Sequence, residues 1–160
     1  MERQVIIETE QLTKRYGQET AVNSLNLQIQ EGEVFGFLGP NGAGKTTTLL
    51  MFLGLTEPSS GQVRVCGFDP RRDPFHVKEK VSYLPENVGF YDDMDARQNL
   101  LYVARLNRIP DEVSFPRIDT WLKEVGLFEE AGKKVGIYSK GMRQRLGLAE
   151  VMIKEPKLIF

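Results

Sequence analysis

Val34-Phe35-Gly36-Phe37-Leu38-Gly39-Pro40-Asn41-Gly42-Ala43-Gly44-Lys45-Thr46-Thr47-Thr48-Leu49-Leu50-Met51-Phe52-Leu53 holds the key to this chain: an apolar run, a glycine-rich loop and a second apolar run. Gly39 to Thr46 match G-x-x-x-x-G-K-[ST], a loop that grips the phosphates of a nucleoside triphosphate. Val34 to Leu38 reads as a buried strand feeding the loop, and Thr47 to Leu53 as the helix that leaves it. The phosphates then meet a helix N-terminus. Unpaired N–H groups and the positive end of the macrodipole favour an anion there, and glycines clear its approach. Lys45 is expected to reach the β- and γ-phosphates, the Thr46 hydroxyl to ligate magnesium, and the amides from Gly42 to Thr47 to cradle the β-phosphate. Asn41 lies near the γ-phosphate side, so the nucleotide-contacting set is Gly39, Pro40, Asn41, Gly42, Ala43, Gly44, Lys45, Thr46 and Thr47.

The 160 residues suit one domain, or a core with a smaller inserted lobe. A formal net charge of -1 with signs mixed along the chain supplies no basic field for nucleic acid, so neither DNA nor RNA is an expected partner. No apolar run approaches the ~20 residues of a membrane-spanning helix, and Met1-Glu2-Arg3-Gln4 leads into a strand-like segment, which places the chain in the cytosol. Cys66, the single cysteine, reads as a small buried side chain in a strand. His76, the single histidine, lies in the amphipathic stretch Pro74 to Lys80 and reads as a surface or packing residue.

Val5 to Thr9 and Leu25 to Ile29 read as strands of an antiparallel sheet, parted by a turn at Tyr16-Gly17-Gln18. Pro58-Ser59-Ser60-Gly61 is a turn, Gln62 to Cys66 a strand, and Lys80 to Leu84 another that stops at Pro85. Strands and helices alternating around a phosphate loop imply an α/β core with a partly parallel sheet. From Asp95 onward the pattern is helical: Arg97 to Asn107, then Phe115 to Val125, with Asp111, Glu112 and Ser114 around Pro110 and Pro116 marking the connection and Gly126 a stop. Lys140 to Lys154 forms the longest helical stretch.

In this order the segments resemble the ATP-binding cassette of ABC transporters over essentially the whole chain. Lys14-Arg15-Tyr16-Gly17 looks like the family's A-loop, whose aromatic ring stacks on adenine; taken alone, Tyr16 reads equally well as an aromatic packed in a turn. Tyr83-Leu84-Pro85-Glu86 stands at the Q-loop, with Glu86 in place of glutamine, able to offer an oxygen to magnesium or to the attacking water; the plain alternative is a solvated loop carboxylate. Tyr138-Ser139-Lys140-Gly141-Met142 resembles the signature, usually Leu-Ser-Gly-Gly-Gln. Only Ser139 and Gly141 are kept: the serine to cap a helix and donate to a γ-phosphate, the glycine to admit close approach.

The resemblance implies an α/β P-loop NTPase core with an N-terminal antiparallel β-subdomain and an inserted helical subdomain, the core incomplete at its C-terminus. Residues 1–92 would form the sheet and loop-bearing core, 93–155 the helical subdomain with the signature helix, and 156–160 the start of the Walker B strand, all within one domain. The Walker B aspartate, the catalytic glutamate and the switch histidine would lie beyond Phe160, so no catalytic residue is assigned, and these residues alone are expected to bind ATP and Mg2+ with turnover near background. The implied partners are a second cassette in a head-to-tail dimer and a transmembrane subunit or domain, at the inner face of the cell membrane. Transport, with export favoured, is the implied function of the longer protein. The alternatives are a non-transport ATPase of translation or DNA repair and a non-hydrolysing nucleotide-binding module. The resemblance assigns the transported substrate's site to the membrane subunits.

Overall fold

The computed structural model describes residues 4–160, which divide into one unit ending at Val81 and a second running from Ser82 to Phe160. In the first unit, β1 (Val5–Tyr16) and β2 (Glu19–Gln30) pair antiparallel across the turn at Gly17 and Gln18, and both run well beyond the stretches whose composition marks them as strands. Their ladder slips in register between Thr9 and Lys14, where Gln11 and Ser24 take positive φ. Side chains meet the backbone groups this irregularity leaves unpaired. Asn26 Oδ1 accepts from the Gln11 N–H at 2.8 Å, and Thr13 Oγ1 accepts from the Ser24 N–H at 3.0 Å. β3 (Ser60–Val65) adds to the other edge of β1, giving the order β2-β1-β3. Val63 and Val65 face inward and Gln62 and Arg64 outward, the period-two alternation of a sheet covered on one side.

Two expectations are corrected in this unit, and that for His76 stands. Val34 to Leu38 is neither a strand nor buried: it has no ladder partner among the described residues, and Val34 and Leu38 stand fully open to solvent. A strand needs a neighbour to satisfy its backbone and to cover its side chains, and only Phe37 finds cover, tilted against Phe52 at 6.2 Å. Cys66 lies just past β3, half-buried, because its φ of 51° turns the chain out of the strand. His76 sits in α2 (Pro74–Lys80), bonded to the Asp73 carboxylate at 2.6 Å and stacked on Phe68 at 5.1 Å.

The two-residue β4 (Val81–Ser82) pairs with β5 (Leu158–Ile159). Phe160 donates to the Ser82 carbonyl at 2.9 Å and accepts from the Leu84 N–H at 2.8 Å, bonding on both sides of Tyr83 as parallel pairing requires. Only these two residues of the expected strand Lys80 to Leu84 are in a ladder, matching the short length of their partner.

Three helices build the rest of the second unit. α3 (Ala96–Leu106) starts at a capping box, with Asp95 accepting from the Gln98 N–H at 2.8 Å and the Gln98 side chain accepting from the Asp95 N–H at 3.0 Å. α4 (Asp111–Glu124) begins four residues ahead of the expected Phe115 and carries Pro116 inside it. Asp111 and Glu112, read as loop residues, instead complement the dipole in the first turn, and Arg105 holds the Asp111 carboxyl below the usual carboxylate range. α5 (Lys140–Ile153) lays Leu146, Ala149 and Ile153 against Leu100 of α3 and Leu122 of α4 in one apolar core.

Glu150 on α5 is half-buried, and desolvation pushes its carboxyl above the ordinary glutamate range. The fold therefore favours the protonated form. The stability this contributes is complete below the unfolded-state value and is lost as pH rises through the folded one. Glu150→Gln should accordingly exceed the parent in stability at neutral pH, with the gap closing below about pH 4, in urea melts repeated across the pH range.

Candidate functional site

α1 (Lys45–Phe52) opens on Gly44, a left-handed residue with φ 79° that carries no side chain to cap the helix. Its first-turn amides, from Lys45 to Thr47, have no acceptor within the helix and point out of its end. The Thr48 N–H and hydroxyl both donate to the Gly44 carbonyl at 2.9 Å, so the first turn is rigid although its mouth is uncapped. A Cβ on Gly44 would lie 2.2 Å from the Ala21 carbonyl oxygen, so the loop is seated directly on β2.

Lys45 folds back over the loop, donating to the carbonyls of Gly39 at 2.7 Å and Pro40 at 2.6 Å. An ammonium has no acceptor capacity, and held there it adds its charge to the uncapped amides. The Ala43 N–H closes a turn onto Pro40 O at 3.2 Å, while Asn41, Gly42, Ala43 and Thr46 are exposed and Thr47 half-buried. The loop thus joins an uncapped helix N-terminus to one cation, an arrangement whose chemistry suits an anion such as a polyphosphate.

Tyr16 arrives at the same end of the sheet. It pairs with Glu19, and Ala21, which carries the loop, follows on the same strand. The Tyr16 ring is half exposed, and the Lys14 ammonium lies 4.9 Å from its centroid, held by the Glu57 carbonyl at 2.7 Å. The ammonium occupies one face of a ring whose residue stays half exposed.

The remaining sequence-predicted residues belong to the second unit. Glu86 is exposed and lines a groove of about 350 Å³ with Leu84, Pro85, Val88, Gln144 and Leu148. Ser139 caps α5, its hydroxyl oxygen accepting from the Met142 N–H at 3.2 Å, which leaves its O–H proton as a donor. Gly141 is exposed, and a Cβ placed there would meet nothing within 4 Å. The preceding Tyr138 is buried in the helical core with its hydroxyl donating to the Glu130 carbonyl at 2.8 Å, and burial pushes its pKa up. Sequence reading passed over Asp92 and Arg143, which pair across 51 positions at the start of α5; no short-range spacing marks such a pair.

Among the described residues no group of three or more His, Cys, Asp or Glu could hold a metal, and no helix is long and apolar enough to cross a membrane. Within the first unit, the exposed Thr46 hydroxyl is the loop oxygen a magnesium ion could take beside those of phosphate and water, a set that suits its reluctance to dehydrate.

The fold and the loop define a P-loop nucleotide-binding protein with an antiparallel sheet and a helical unit. The profile of the ABC transporter family matches residues 22–160, and the chain belongs to that family. It is 42% identical over 154 residues to the bacitracin transport ATP-binding protein BcrA of Bacillus licheniformis, covering 96% of this chain and 49% of that protein. It is 41% identical over 140 residues to the ABC transporter ATP-binding protein NatA of Bacillus subtilis, covering 87% of this chain and 57% of that one. Among solved structures, cbiO1 of Clostridium perfringens, part of the ABC transporter complex cbiONQ, matches with a TM-score of 0.87 and 26% identity over 99% of this chain and 64% of its own. An ATP-binding subunit of an ABC transporter matches at a TM-score of 0.84 and 25% identity, over 96% of this chain and 64% of its own. The chain spans about half the length of the curated relatives it matches.

Two glycines separate what this chain needs for itself from what it does not. Gly44→Ala must move the Ala21 backbone and force a left-handed alanine, and should cost at least about 2 kcal/mol. Gly141→Ala, in open space in the first turn of α5, should leave stability unchanged or raise it by up to about 1 kcal/mol. Denaturant melts of the two variants test the contrast.

Proposed function

We propose that this chain is the nucleotide-gripping part of an ABC transporter ATP-binding subunit, which binds ATP with magnesium and, in the whole protein, hydrolyses it to drive transport. The observation that carries the reading is the uncapped N-terminus of α1 beneath the Lys45 ammonium, in a chain whose family is that of ABC transporters. In this reading Gly39 to Thr47 cradle the phosphates, Thr46 ligates magnesium, and adenine stacks on the exposed Tyr16 ring. Glu86 supplies a carboxylate oxygen to the metal or the attacking water.

Ser139 and Gly141 serve a nucleotide held on a second cassette, in a head-to-tail dimer. The spare hydroxyl donor of Ser139 and the open space around Gly141 support this, since neither group is used up within its own chain. The working assembly includes a transmembrane subunit or domain, with the cassette peripheral to it at the inner face of the membrane; the likeness to a component of the cbiONQ complex supports such an assembly. Export is the favoured direction, supported by 37% identity over 153 residues to a Nod factor export ATP-binding protein of Burkholderia pseudomallei.

Titration with a fluorescent ATP analogue tests the roles. Lys45→Ala removes the charge facing the β- and γ-phosphates and should weaken binding roughly ten- to hundredfold, the weight of charge-assisted hydrogen bonds. Tyr16→Ala should weaken it about fivefold, the scale of one aromatic stack. Equal losses in the two variants would show that the roles are wrongly assigned.

A further inference from the structure

The start of α5 is gripped on both sides by a single residue. Before the signature, the Asp92 carbonyl accepts from the Gly136 N–H at 3.0 Å; beyond it, the Asp92 carboxylate accepts from Arg143 Nη2. A Cβ on Gly136 would lie 3.0 Å from the Asp92 carbonyl oxygen, so a glycine there is what lets the two backbones close. Val135 N–H donates to Met94 O at 2.9 Å, and Asp95 bridges to Lys134, which extends the seam. Arg143 also reaches back to the Val135 carbonyl at 3.4 Å, tying the first turn of α5 to the 3₁₀ turn Val135–Ile137 ahead of it.

An ion pair with one partner this exposed adds little to stability: the Asp92 side chain is 65% accessible. Its consequence is geometric. A planar guanidinium bonded to a carboxylate and a carbonyl defines the rotation and height of the helix end that carries it.

We infer that Asp92 and Arg143 are a positioning pair, holding the Ser139 hydroxyl and the Gly141 backbone in register for the triphosphate bound by a second cassette. This rests on the composite-site reading proposed above. Asp92 lies a short way beyond Glu86 on the same segment, so the pair ties that segment to the signature. Arg143 is thereby separated in role from Ser139: it touches no nucleotide and acts through the helix it fixes.

The test uses the full-length protein, with ATP-dependent dimerisation followed by analytical ultracentrifugation alongside steady-state ATPase assays and single-site ATP titration. Asp92→Asn and Arg143→Gln should each lower kcat and the dimerisation constant roughly ten- to hundredfold, the scale of a small misplacement at a reacting centre. Monomer affinity for ATP and the melting temperature should stay near the parent values. The exchanged pair, Asp92→Arg with Arg143→Asp, restores the contact with charges reversed and should recover most of the loss. A folded Asp92→Asn that dimerises and turns over like the parent overturns the pair's role, as does an exchanged pair that folds without recovery. Should the parent itself fail to dimerise with ATP, the composite-site reading falls and the positioning role with it.

Discussion

The contact between Gly44 and the Ala21 carbonyl is the constraint on which the first unit depends. A left-handed residue without a Cβ is required there, because any side chain would meet the β2 backbone. With no side chain at that position, nothing caps α1, and the orphan amides of its first turn face outward. A steric demand of packing thus creates an electrostatic opening. The same seating brings the Tyr16 end of the hairpin to the loop, since Tyr16 pairs with Glu19 and Ala21 follows on β2. The proposed phosphate grip and base platform share one support.

The parts of the site that depend on local chemistry were legible in the sequence. The loop's glycines and lysine, Ser139 as a helix cap, and the strand alternation around Val63 and Val65 each follow from residues within a few positions of one another. What depends on distant partners was not. Val34 to Leu38 has the composition of a strand, yet composition cannot supply the neighbour that a ladder needs. Pro116 suggested a late start for α4, but the helix buries Ser114, Ile118 and Leu122, and that packing carries it through one missing donor while Asp111 and Glu112 suit the dipole of its first turn. The union of Asp92 with Arg143 had no sequence signal at all. Both are charged residues in polar surroundings, and only the fold brings them together.

The departures of the signature from its usual pattern have a physical account in this chain. Tyr138 replaces leucine and remains a core residue, its ring buried and its hydroxyl satisfied by the Glu130 carbonyl. Met142 stands where glutamine is usual and packs against the helical core, so a flexible apolar side chain takes up a position otherwise given to a polar one. Lys140 is exposed, at the first position of α5. Tyr138 and Met142 therefore serve the fold of the second unit. That leaves Ser139 and Gly141 as the retained positions whose chemistry is directed outward.

Gly141 makes the argument sharpest. Its backbone is helical, its surroundings are empty, and helix propensity disfavours glycine at such a place. Gly44, Gly136 and Gly147 are each explained by an atom of this chain that a Cβ would strike. No such atom exists for Gly141. A glycine that costs the helix stability with no steric cause in its own chain is consistent with the proposed approach of a partner to its backbone. The neighbouring Ser139 hydroxyl, with its acceptor role spent on the cap and its proton unspent, faces the same approach. An unspent hydroxyl donor beside an unobstructed backbone suits a group rich in oxygen acceptors, and this is the chemical basis of the proposal that a triphosphate on another subunit meets them.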